Sequence, residues 1–190
     1  MHIKILNYIL NSKYKSYTLA ITTGLLFFIL NFIWPVPTLT VLWWWKVIPD
    51  LLTFGGNYEY IYNLFTQLGT TGRQEYLLFL YTLDVIFPIA YSLFFGLLLW
   101  LSIRNININE QAKYLLTSFS FIAACFDYIE NISYITLLHT FPTINQTVVH
   151  IGTISTIFKN MFSFIGMSLL LGFTLYNIYN KLLKNNKICL

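Results

Sequence analysis

The sequence predicts an all-α, polytopic transmembrane bundle of four helices, with an interfacial helix in the first external loop. Three observations carry that prediction. Of the 190 residues, 57% are hydrophobic and only 9% are charged, against about 25% charged in an ordinary soluble domain, so a soluble globule is excluded. The apolar residues fall into four long runs separated by polar or proline-containing segments. The aromatic fraction of 19% suits belts at the two membrane interfaces.

One domain covering 1–190 is expected, with spans at 17–34, 74–103, 114–138 and 148–180. The first 16 residues mix Lys4, Lys13 and Lys15 with Ile3, Ile5, Leu6, Ile9 and Leu10, a composition for a short helix lying on the membrane surface. The 18 residues of 17–34 are enough to span, and they end at Trp34-Pro35-Val36-Pro37 without a small-residue cleavage pattern. This run therefore reads as a retained span rather than a signal peptide. From 35 to 72 the chain carries Pro35, Pro37, Pro49, Gly55-Gly56 and the triplet Trp43, Trp44, Trp45, the chemistry of an external loop with interfacial anchors. Within it, Tyr58, Ile61, Leu64 and Phe65 recur at helical spacing, which predicts a short interfacial helix over 57–68.

In the second span Asp84 is the only charge between Tyr76 and Ile103. Those 28 residues would measure about 42 Å as a straight helix against roughly 30 Å of hydrocarbon, so tilt or a kink must absorb the excess. Pro88 supplies a kink site and withdraws the N–H that would otherwise bond to the Asp84 carbonyl. The third span contains Asp127 and Glu130. The loop that follows carries Pro142, and in the fourth span Lys159 stands about 33 Å from Lys181, one membrane thickness.

Four spans place both termini on one side. That side, with the 104–113 connection, holds eight of the eleven Lys and Arg residues; Lys46, Arg73 and Lys159 fall on the other. By the positive-inside rule both termini are cytoplasmic. The formal charge of +4 is explained by this topology, so no nucleic-acid partner is expected. Cys125 and Cys189 have no metal-thiolate or disulfide spacing.

Function is sought where charge enters hydrocarbon, because each such residue costs about 2.5–3.5 kcal/mol even on insertion scales and ordinarily faces the bundle interior. Asp127, Glu130 and Asn131 stand at i, i+3 and i+4 on one helical face, with Tyr134 extending the stripe. On the second span Tyr81, Asp84, Pro88 and Tyr91 share a face; on the fourth, Thr156, Lys159, Asn160 and Ser163 do. Counted from Lys113, Asp127 and Glu130 lie about 21 and 25 Å up, in the outer half of the bilayer. An outward-facing polar site is thus expected, with Asp84, Asp127, Glu130, Asn131 and Lys159 as its chemical core and Arg73, Tyr91 and Tyr134 as substrate-binding residues. Acids set against a lysine in low dielectric suit general acid–base work, a proton relay, or a buried pair that fixes helix register. His139 and His150 flank the outer loop without ligand spacing, so no metal or other cofactor is expected.

Gly72-Arg73 with Tyr76-Leu77, Leu83-Asp84 with Phe87-Pro88 and Tyr91, Phe126-Asp127 with Glu130-Asn131, then Pro142 and Lys159, form a pattern that resembles a group of small, uncharacterised bacterial four-span membrane proteins. The likeness covers about residues 69 to 161. It implies a bacterial cytoplasmic membrane and one functional set of Arg73, Asp84, Asp127, Glu130, Asn131 and Lys159, but no activity.

Gly-x-Ser-x-Gly, His-Glu-x-x-His and Walker patterns are absent from the sequence, which disfavours a serine hydrolase elbow, a zincin and a P-loop enzyme. Three readings remain. The first is an activity on, or binding of, an outer-leaflet lipid or other amphiphile, with Arg73 and Lys159 able to take a phosphate head. The second is a proton-linked transporter, which with four spans would have to form a homo-oligomer. The third is a non-catalytic assembly factor that docks a membrane-protein partner through the outer loop.

Overall fold

The structure, a computed structural model, describes residues 12–33, 52 and 54–186. The expected surface helix before residue 12, the tryptophan triplet and Cys189 lie outside the described residues. Among the described residues the fold is entirely helical: α1 Lys13–Ile33, α2 Tyr58–Ile103, α3 Glu110–Thr140 and α4 Gln146–Asn186. Three helices are long and apolar enough to cross a membrane, at Tyr58–Ile103, Glu110–Thr140 and Gln146–Leu183, which marks an integral membrane protein. The apolar part of α1, Tyr14–Leu30, is shorter.

The short connections 104–109 and 141–145 make α2, α3 and α4 successive antiparallel neighbours. α3 packs most extensively against α4 and then α2, while α1 packs principally against α2. The start of α1, the 104–109 connection and the last turns of α4 gather at one end of the bundle. There the Arg104 guanidinium donates to Ser16 Oγ at 3.2 Å and covers the Tyr17 ring at 5.3 Å. Lys113 Nζ donates to the Arg104 carbonyl at 3.1 Å and pairs with Glu110 at 2.8 Å. Asn177 Nδ2 donates to the Ser102 carbonyl at 2.6 Å. Lys113 and Asn177 here satisfy helix-end carbonyls, where the backbone has no partner of its own.

The opposite end is built by the first three turns of α2. Asn57 caps them, its side chain accepting from the Tyr60 N–H at 2.9 Å, and Glu59 adds negative charge in the first turn. Ile61, Leu64, Phe65 and Leu68 are all buried, the i, i+3, i+4, i+7 stripe of an amphipathic helix. They pack into a core with Tyr76, Leu80, Tyr134, Leu137 and Val149, so the apolar face of this arm is spent on the bundle. Gly69 ends the arm at φ 65°, ψ −173°, a left-handed value that glycine adopts freely and other residues resist. A side chain at Gly69 would meet nothing within 4 Å, so the need is for backbone freedom alone. Helix resumes at once, so residues 70–72, expected in the external loop, are helical. Arg73 reaches back to donate to the Phe65 carbonyl at 2.8 Å, capping the arm across the break.

Below Gly69 the backbone of α2 stays helical through Pro88. The carbonyls that Pro88 disturbs find donors on α3: Asn131 Nδ2 donates to the Asp84 carbonyl at 3.2 Å, and the Tyr128 hydroxyl to the Val85 carbonyl at 2.6 Å. A proline is tolerated inside a membrane helix when neighbours restore satisfaction in this way. Asn131→Leu is therefore expected to cost about 1 kcal/mol in SDS unfolding, and much less in a Pro88→Ala background, where the backbone N–H returns. Equal losses in both backgrounds would refute the pairing.

Candidate functional site

α3 carries Asp127, Glu130 and Asn131 on one face, and all three are buried, as is Asp84 on α2. The face meets α4 at close range because Gly152 stands there; a Cβ on Gly152 would lie 3.2 Å from Ser133 Cβ. This closeness brings Lys159 between the two acids. Its ammonium ion-pairs with Glu130 Oε2 and with Asp127 Oδ1 at 3.2 Å. The Thr156 hydroxyl, one helical turn before Lys159, donates to Glu130 Oε1 at 2.6 Å. Glu130, with 0% exposure, is thus gripped on both oxygens by α4, the arrangement a buried carboxylate requires.

Beside this cluster a cavity of about 280 Å³ opens between the helices. Its lining combines the polar side chains of Asp127, Lys159, Asn160, Tyr91, Ser120 and Ser163 with the apolar ones of Phe27, Phe87, Phe95 and Met167. The Tyr91 hydroxyl lies beside the Asp127 carboxylate but does not meet hydrogen-bond geometry with any described residue. Tyr91 is only 9% exposed. A buried hydroxyl left without a bond is costly, and such groups tend to mark a place where something else binds.

The lining extends over several helical turns. From Asp127 to Ser120 the step along α3 is about 10 Å toward the 104–109 end, and from Lys159 to Met167 along α4 about 12 Å the same way. Polar and apolar groups interleave along it, Ser120 lying deep and Phe87 standing one turn nearer the arm than Tyr91. Phe27 stacks on Phe87 at 5.6 Å and meets Phe95 edge-on at 5.6 Å, so α1 supplies a wall from its contact with α2. On the α4 side Met167 is half-exposed, so the lining reaches the surface there.

Of the eight residues expected to form the site, Asp127, Lys159 and Tyr91 line this cavity. Glu130 stands behind them on Lys159, Asp84 is buried on α2 outside the lining, and Asn131 turns to the Asp84 carbonyl. Two are elsewhere. Arg73 is held by the Phe65 carbonyl and lies over the Phe141 ring at 4.5 Å, at the end of α3 about 16 Å along the axis from Glu130. Tyr134 is fully buried in the core at the arm end of the bundle. Thr156 and Tyr128 were not singled out for roles, since hydroxyls at helical spacing are common in any span, and their partners become visible only once the helices are paired. The apolar wall was equally silent, because an aromatic residue facing a cavity and one facing lipid read alike. Among the described residues no group of His, Cys, Asp and Glu side chains is placed to hold a metal ion; His139 Nε2 instead shares a 2.9 Å hydrogen bond with the Tyr81 hydroxyl. No family model, no curated protein and no solved structure matches this chain.

Proposed function

We propose that the protein is a four-span membrane protein with both termini cytoplasmic that binds an outer-leaflet lipid or other amphiphile in the cavity beside Asp127 and Lys159. One observation carries this reading: one interhelical cavity joins charged and polar side chains, Asp127, Lys159, Asn160 and Tyr91, to an apolar wall of Phe27, Phe87, Phe95 and Met167. A polar head and an apolar tail on one ligand match that make-up, and with the termini inside, Asp127 and Lys159 fall in the outer half of the bilayer. Pockets for small ligands are mostly apolar with a few placed polar groups, and this one has that make-up. The split of basic residues and the resemblance to small bacterial four-span proteins support a bacterial plasma membrane.

The same geometry divides labour among the acids. Glu130, held by Lys159 and Thr156, fixes α3 against α4; Asp127, sharing the lysine from the cavity wall, is the acid that meets a ligand. The test is lipid co-purification. Wild type and Asp127→Asn, matched for membrane level, are extracted in polymer-bounded discs and their lipids measured. One amphiphile class is expected to be enriched on wild type and reduced roughly tenfold on the variant, an affinity loss of about 1.4 kcal/mol. Profiles identical to bulk membrane for both proteins would overturn the reading.

A further inference from the structure

Toward the 104–109 end, α4 carries a second groove. Of the most apolar 18 residues of this helix, 6% are buried among the described residues, so α4 meets lipid along much of its length. There a groove of about 510 Å³ runs past Phe164, Ser168, Gly172, Phe173 and Tyr176 to Ile106 of the 104–109 connection. Gly172 holds it open: a Cβ at this position would meet nothing within 4 Å. From Phe164 to Tyr176 the helix rises about 18 Å, close to the roughly 15 Å of hydrocarbon in one leaflet.

At Ile106 and Tyr176 the groove passes into a neighbouring cavity of about 420 Å³, which the same two residues also line. The chemistry changes there. Its other walls are Asn105, Asn107, Asn177, Asn180 and Lys181. Asn177 donates to the Ser102 carbonyl at 2.6 Å, which holds α4 against the end of α2 and keeps the two sides of the cavity together. Arg104 and Lys113, at the same end, are turned to Ser16 and Glu110. Lys181 instead lines the cavity and makes no ion pair with a described residue. No carboxylate is among the described residues of that lining.

We propose that groove and cavity together hold one anionic phospholipid, its acyl chain along α4 and its phosphate among the asparagine amides and Lys181. A lysine set beside several N–H donors suits a phosphodiester, and basic pockets between spans on the cytoplasmic side are recurrent sites for anionic head groups. The adjoining apolar groove, one leaflet deep, is what a lipid uses and a free phosphate does not. The leaflet is the one at the 104–109 end, cytoplasmic in the orientation proposed above; the binding itself does not depend on that orientation.

The test uses the full chain in a neutral detergent and native mass spectrometry, with phosphatidylglycerol and phosphatidylcholine of identical tails as probes. Wild type is expected to carry one saturable phosphatidylglycerol per chain, held about fivefold or more tighter than phosphatidylcholine, and glycerol phosphate should not displace it. Lys181→Gln should bring phosphatidylglycerol down to the level of phosphatidylcholine. Gly172→Leu adds volume to the groove without a clash and improves helix propensity, and it should abolish the saturable site for both lipids. Equal binding of the two lipids by wild type would overturn the assigned head. Displacement by glycerol phosphate would make this a site for free phosphate and overturn the lipid. Phosphatidylglycerol bound as tightly by Gly172→Leu as by wild type would mean attraction to Lys181 at the surface and overturn the groove. The comparison of heads is made on wild type, so it does not depend on whether a variant folds. The site shares no lining residue with the cavity beside Asp127, so either can fail while the other stands.

Discussion

Lys159→Met is expected to destabilise the folded protein by about 3–5 kcal/mol, the loss seen when one partner of a buried ion pair is removed and the other charge stays behind. Here two carboxylates are stranded, because Lys159 serves both Glu130 and Asp127. The methionine keeps most of the volume, so the loss reports charge rather than packing. The triple variant Lys159→Met, Glu130→Gln, Asp127→Asn should recover much of the stability, since neutral amides in place of the acids leave no uncompensated charge. Unfolding in mixed micelles by SDS measures both. A Lys159→Met protein as stable as wild type would show that the acids find other partners and that the lysine does not organise the α3–α4 contact.

Phe65→Ala is expected to cost about 3–5 kcal/mol at the arm, the range for truncating a buried phenylalanine, but to leave the rest of the bundle in place. Phe65 is fully buried, edge-on to Tyr76 at 6.5 Å and to Phe141 at 6.1 Å, and the arm is joined to the span through Gly69. Loss of its central side chain should release 58–68 as a unit. Hydrogen exchange by mass spectrometry should then show protection lost over 58–68 and kept over 120–135. Uniform loss across both segments would mean that the arm is a cornerstone of the whole fold.

How much of this was legible depended on whether the information was local. Helical spans follow from long apolar runs, and the helical spacing of Ile61, Leu64 and Phe65 announced the arm. Pro88 also announced that the Asp84 carbonyl would need a donor, but the donor, Asn131, lies 47 positions along the chain, and only packing of α3 on α2 identifies it. Arg73 shows the opposite case. A basic residue at the mouth of a span reads as a ligand for anions, yet the backbone turn at Gly69 folds the arm back, and the guanidinium is taken up by a carbonyl eight residues earlier. Glycine at 69 gives no sign in advance of whether it will bend or simply continue a helix. Tyr91 and Tyr134 were equal candidates from spacing alone; the contacts of their helices sent one to a cavity wall and the other to the core beneath the arm.

The five-residue connection 141–145 places Asp127 and Glu130 on one limb of a helical hairpin and Lys159 on the other. Carried singly into hydrocarbon, each of these charges would cost about 2.5–3.5 kcal/mol on the insertion scale. When the two limbs enter as a hairpin, the lysine on one offsets the acids on the other. The short connection thus lowers the cost of taking α3 and α4 into hydrocarbon as a pair below that of taking either one alone.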